Sequence, residues 1–212
     1  MTLRSIAVAP AFTVIELLVV LALLGVLAGG IVQIGRGGGR AVALRTAQAT
    51  LAGALAQARS EAAARGTNVG LLVHADAVAP DRRLREWVVA VEDPVHGWQP
   101  LTPWLALPAG VALLPSVTPA GDAIEDGTDW TGLRSSGLGG TTVMCDGVAA
   151  LPVVFTARGT VFRGAGDFVF APVERLPADA AEPWRYLQPD AVRGLSLSVY
   201  GLVTFLHERS EM

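Results

Sequence analysis

The side chains in this chain that can do acid, base or nucleophilic chemistry are few, and their spacing does not suit it. His74, His96 and His207 lie far apart, with no HExxH-type spacing that would put two imidazoles on one helix face. The run Ser135-Ser136-Gly137-Leu138-Gly139-Gly140 lacks the flanking order of a nucleophile elbow. Cys145 is the single cysteine, so the chain makes no internal disulfide and no multi-thiolate metal site, and the thiol reads as a small core residue. Asp122, Glu125, Asp126 and Asp129 offer oxygen ligands of the kind calcium takes, but their spacing fits no EF-hand and acids beside glycines read as a solvated loop. All 16 basic residues are Arg, which removes every mechanism that needs an amine side chain. Against 19 acids they leave a net charge of −3 with no basic run, which argues against a phosphate-neutralising nucleic-acid face. The expectation is a non-enzymatic chain with no cofactor and no nucleic-acid partner.

One acid stands out by its surroundings. From Leu17 to Gly35 there is no charge, and Phe12, Thr13, Val14 and Ile15 extend the apolar run backwards, so Glu16 sits alone inside it. A helix rising about 1.5 Å per residue over such a run approaches the ~30 Å hydrocarbon thickness of a bilayer. The sequence therefore predicts a membrane span over about 12–35. A carboxylate in hydrocarbon costs about 2.5–3.5 kcal/mol and persists when it is neutralised, paired or needed. No Arg or His lies within a helical turn of Glu16; its other resting place is the wet headgroup boundary. Gly25 and Gly29 form a small-xxx-small pair that lets a second helix approach closely. An ordinary signal peptide, with Arg4 as its basic start and cleavage after Val26-Leu27-Ala28, is the competing reading, opposed by the acid inside the run.

The stretch Ala11-Phe12-Thr13-Val14-Ile15-Glu16-Leu17-Leu18-Val19-Val20-Leu21 resembles the prepilin-type cleavage and methylation motif of type IV pilins and type II secretion pseudopilins. That resemblance implies a leader, residues 1–11, cut by a prepilin peptidase between Ala11 and Phe12, and methylation of the new terminus at Phe12. It also implies that Glu16 pairs with a free amino terminus, its own or a neighbour's, inside a filament whose subunits meet through this helix. The words Ala58-Arg59-Ser60-Glu61-Ala62, Trp98-Gln99-Pro100-Leu101 and Val154-Phe155-Thr156-Ala157-Arg158-Gly159 are similar to the general secretion pathway protein H and FimT-like branch. Major pseudopilins of the family carry calcium, which leaves the 122–129 acids open. FimT-like pilins of DNA uptake carry basic residues after a Gly near the carboxy terminus. Here Gly201 is followed by Leu202-Val203-Thr204-Phe205-Leu206, so the arginines are missing.

Past Gly35-Arg36-Gly37-Gly38-Gly39-Arg40, expected to loosen or break the helix, residues 41–65 read as an amphipathic helix. Leu51, Leu55, Ala58 and Ala62 form its buried stripe, Glu61 and Arg65 pair on its surface, and Gly66 stops it. From Thr67 the pattern changes to short β-rich runs: 69–74, 84–92, 111–114, 152–156, 167–171 and a long 194–207. The five Trp read mostly as core. The fold class expected is α+β, a long amino-terminal helix (12–66) packed on a β-sandwich-like domain (67–212). The function this implies is a minor pseudopilin of a type II secretion pseudopilus, single-pass in a bacterial inner membrane with its β domain in the periplasm. Its partners would then be other pseudopilins or pilins, the prepilin peptidase and the lipid bilayer. The alternatives are a FimT-like minor type IV pilin, or a binding protein that uses the apolar segment only for export.

Overall fold

The computed structural model describes residues 14–177 and 183–212, with side chains from residue 39 onward. The chain divides into two compact units, Met1–Gly39 and Arg40–Met212. Helix α1 is assigned over Val14–Arg65, so the glycine cluster at 35–39 falls inside the helix and does not end it, contrary to expectation. It stops where the sequence predicts. Gly66 adopts φ +66°, which a side chain would resist, and its N–H closes on Ala62 O at 3.0 Å.

Two further expectations are corrected here. Among the described residues no helix is long and apolar enough to cross a membrane. The part of α1 with described side chains carries Arg40, Arg45, Arg59, Glu61 and Arg65, five charges that hydrocarbon does not tolerate. The membrane-spanning helix, and with it the single-pass inner-membrane location, are therefore withdrawn; the side chains of 12–35, on which both rested, lie outside the described residues.

The α+β character holds, with twelve strands in two sheets among the described residues, packed under the second half of α1. The first sheet contains β1 (Val69–His74), β2 (Glu86–Asp93), β3 (Gly97–Pro100), β4 (Leu105–Ala106), β6 (Val143–Cys145), β7 (Val148–Phe155) and β8 (Val161–Arg163). Central β1 pairs antiparallel with both β2 and β7. The pairings β2–β3, β3–β6 and β6–β7 close this sheet into a ring, its last joint a single parallel pair of Trp98 with Cys145. The second sheet runs β10 (Trp184–Tyr186), β9 (Gly166–Arg175), β11 (Arg193–Leu197), β12 (Val203–Leu206), with β5 (Val111–Leu113) also on β9.

Strand alternation sorts the apolar residues into three cores. Odd positions of β1, Val69, Leu71 and Val73, face α1 together with Trp87, Val89, Val153 and Phe155. Phe168, Phe170, Leu195 and Leu197 of the second sheet join the same core, and α1 fills it with Leu44, Ala47, Leu51, Ala54, Leu55, Ala58 and Ala62. Each of its fully buried leucines stabilises the fold by roughly 1.5–3 kcal/mol. On the other face of β1, Leu72 packs with Val88, Ala90, Trp98, Cys145 and Val154 inside the ring. Gly70 is required there: a Cβ would meet Trp98 Cζ3 at 2.9 Å. The outer face of the second sheet, Val169, Ala171 and Val173, is roofed by Ala123, Trp130 and Leu133 from the long irregular segment that precedes β6.

The 194–207 run is not one strand. Gly201, at φ +73°, turns it back on itself into the β11–β12 hairpin, closed by Ser198 N–H on Leu202 O at 2.9 Å.

His74, at the end of β1, is 1% exposed, and its ring meets Trp104 edge-on with centroids 5.5 Å apart. Its Nδ1 has no hydrogen-bond partner. Burial, aided by the Arg82 charge, lowers its pKa below 6.5, while Glu86 and Asp76 oppose the shift. The unfolded chain therefore binds a proton that the folded chain refuses, so stability present above about pH 6.5 is lost as pH falls below it, by at most about 1.4 kcal/mol per pH unit. Thermal melts between pH 7.5 and 5.5 should show this slope, and His74→Phe should flatten it over the same window.

Candidate functional site

The groups that sequence reading weighed as reactive are occupied structurally. Ser135 Oγ accepts Val169 N–H at 3.0 Å, and Ser136 Oγ accepts Asp167 N–H at 2.9 Å, so both hydroxyls strap the 135–140 turn to β9. Gly137 lies so close to Phe168 that a Cβ would come within 2.6 Å of its ring. Cys145 is buried in the ring core, where desolvation raises its pKa and keeps the thiol protonated, the opposite of a nucleophile's tuning. His96 and His207 are exposed and apart from buried His74.

Of the acidic stretch, Asp122, Glu125 and Asp126 face solvent. Asp129 accepts Thr131 N–H at 2.9 Å and pairs with Arg209 at 3.1 Å, and these bonds hold its carboxyl below the usual carboxylate range. Arg209 also reaches Asp190 at 3.6 Å. A guanidinium thus stands where a cation between these acids would sit. Among the described residues no group of three or more His, Cys, Asp or Glu is placed to hold a metal.

Of the residues expected to carry assembly, Ala11 and Phe12 lie outside the described residues. Glu16, Gly25 and Gly29 fall within α1, ahead of the residues whose side chains are described. The described half of α1 is where structure and assembly chemistry meet. Its stripe is buried as expected, and Arg65 Nε bonds Glu61 Oε2 at 2.8 Å.

Two polar residues that the sequence reading passed over fix this helix on the second sheet. Gln48, 3% exposed, donates from Nε2 to Gly194 O at 2.5 Å and Leu206 O at 3.1 Å. Arg59 Nη1 donates to Gly201 O at 3.1 Å. Gly201 and Gly159 give it room: a Cβ on either would approach Arg59 Nε at 3.1 Å. The signal for Gln48 was in the sequence, an amide in phase with Leu44, Leu51 and Leu55, which implies a buried partner. Beside the Arg59 tie, Ala52, Ala56, Ser60 and Ala63 line an open groove of about 520 Å³ with Arg59, Arg158, Leu202 and Val203.

The helix is thus seated on the two sheets, and Ser135, Ser136 and Cys145 are engaged in loop closure or packing. A family model described as type II transport protein GspH matches residues 47–186, and the chain belongs to that family of non-catalytic, pseudopilin-type subunits. Comparison with curated protein sequences returns no match. Similar solved structures include the minor pseudopilin EpsH from the type 2 secretion system of Vibrio cholerae, at 12% identity and TM-score 0.41, covering 77% of this chain and 96% of that one. The type IV minor pilin FimU of Pseudomonas aeruginosa is similar at 18% identity and TM-score 0.40, over 79% and 90%.

Gln48→Leu keeps the volume of the side chain but leaves the Gly194 and Leu206 carbonyls without their amide donor. It should destabilise the fold by about 1–3 kcal/mol, read from denaturant midpoints.

Proposed function

We propose that the protein is a minor pseudopilin, a structural subunit of a type II secretion pseudopilus that takes part in protein export. The observation that carries this reading is the family match over 47–186, which spans the sheet-bound end of α1 and most of both sheets. Under this reading the leader is removed between Ala11 and Phe12 by the prepilin peptidase, Phe12 becomes the methylated terminus, and Gly25 and Gly29 let neighbouring helices approach. Glu16 then acts as a register pin. Among packed apolar helices its carboxylate needs an amino terminus, and every wrong stagger leaves it unpaired at a cost of several kcal/mol.

The second reading is a minor type IV pilin for pilus assembly or DNA uptake. The residues after Gly201 weigh against DNA contact there: Leu202 is 61% exposed and Phe205 is exposed too, where a phosphate backbone would want guanidinium groups.

Intact mass and amino-terminal sequencing, with and without the prepilin peptidase, test the maturation step. A chain beginning at methylated Phe12 only when the enzyme is present is expected; one beginning at Gly29 overturns the reading. In a deletion strain, export should fail while twitching and DNA uptake persist. Glu16→Ala should be cleaved normally yet enter the filament poorly, and normal incorporation would remove the pin.

A further inference from the structure

We propose that β12 is a self-docking edge, through which two copies of the chain pair antiparallel about a two-fold axis at Thr204. The argument starts from backbone polarity. Ser198 and Leu202 form a bonded pair at the hairpin turn. Bonded and non-bonded pairs alternate along an antiparallel ladder, so Ser196–Thr204 and Gly194–Leu206 are bonded, while Val203 and Phe205 aim N–H and C=O away from β11. Among the described residues no strand pairs with that outer edge. Edges of this kind are normally blunted by charge, proline or a bulge. Val203, Thr204 and Phe205 supply none of these.

The surroundings of the edge suit an incoming strand. Gln48 touches Leu206 and Arg59 touches Gly201, so α1 runs alongside β12, about 16 Å of helix beside about 17 Å of strand. Apart from Arg59, which is tied to Gly201 O, the α1 residues that line the groove beside Leu202 and Val203 are alanines and Ser60, which leaves room for side chains of an added strand. Exposed apolar residues concentrate at the same end: Tyr200 at 69%, Leu202, and Phe162 at 75%, the last held close by Val161 N–H on Val199 O at 2.8 Å.

Charge selects the occupant. Arg59 and Arg158 line the groove where β12 begins, and the exposed acids Glu208 and Glu211 follow where it ends. In the antiparallel register centred on Thr204, Val203 of each copy faces Phe205 of the other. Both outward-facing residues then form reciprocal pairs, and the acidic end of each copy meets the Arg158 end of the other. A parallel pairing would set like charges side by side. The two-fold arrangement closes on itself, so it covers the edge without building a fibre. This inference does not rest on the export reading.

The test uses the purified full chain in sedimentation equilibrium. A monomer–dimer equilibrium weakened by salt is expected. Val203→Pro removes one outward N–H, a position where an edge strand tolerates proline, and should weaken the dimer by at least about tenfold with an unchanged melting temperature. Thr204 opposes its own copy in a non-bonded pair, where Cα atoms lie about 4.5 Å apart, close enough for a disulfide. Thr204→Cys should therefore cross-link on mild oxidation, whereas Leu202→Cys, which faces Leu206, should not; wild type, with Cys145 buried, is the blank. A chain that stays monomeric, an association that survives Val203→Pro unchanged, or equal cross-linking at 202 and 204 would overturn the proposal.

Discussion

Everything in the second unit leans on one burial: the apolar stripe of α1, from Leu44 to Ala62, laid against the inner faces of two sheets whose strands, among the described residues, share no ladder pairing. The first sheet contributes Leu71, Trp87 and Phe155, the second Phe168, Phe170 and Leu195, and the helix is the surface common to both. Alanine dominates the stripe because two sheets must approach one helix at once; a Leu at Ala47, Ala58 or Ala62, each fully buried, would push one of them away. Chain topology helps, since β1 leaves the helix through Gly66 and Thr67 and goes straight to the centre of the first sheet.

The outer layers follow from the same economy. A sheet covered by a helix on one face still has an apolar opposite face. The first sheet curls into a ring and fills it with Trp98, Leu72 and Val154. The second borrows the segment between β5 and β6 as a roof. That segment is irregular yet anchored: Trp130 and Leu133 are buried in the roof, and Asp129 ties it to Arg209 near the carboxy terminus. Asp122, Glu125 and Asp126 precede those anchors and face solvent.

What was legible in the sequence is what depends on local period. The 69–74 strand, the 51–55–58–62 stripe, the Glu61–Arg65 pair and the Gly66 stop all stand as read, since each is set by residues close together along the chain. Turns inside apolar runs were hidden. Gly201 divides β11 from β12 in a run otherwise apolar enough to pass for one strand, and Asp146-Gly147, both at positive φ, begins β7 earlier than its run of valines suggested. Ring closure was beyond reach, because a single Trp98–Cys145 pair joins segments more than forty residues apart. The glycines at 35–39 misled for a different reason: each lowers helix propensity by about 1 kcal/mol, a weak prior that the assigned helix overrides. The assembly residues Ala11, Phe12, Glu16, Gly25 and Gly29 were read from a motif, and no side chain described in the structure bears on them.

The polar ties of α1 answer a weakness that its alanines create. A stripe of small residues allows close approach, but at its end it discriminates poorly between registers, because sliding the helix by one turn there exchanges Ala58 for Ala62. Gln48 and Arg59, eleven residues apart, remove that freedom. Moved by a turn, the Gln48 amide would lie buried without its two carbonyls, an error of about 1–3 kcal/mol. Arg59 would lose Gly201 O and meet the turn that the two glycines now keep open for it. Seating is thus set by a few polar contacts and its strength by apolar area, a division that fixes the sheet-facing side of the helix while Ala52, Ala56, Ser60 and Ala63 keep the groove beside Arg59 open to another chain.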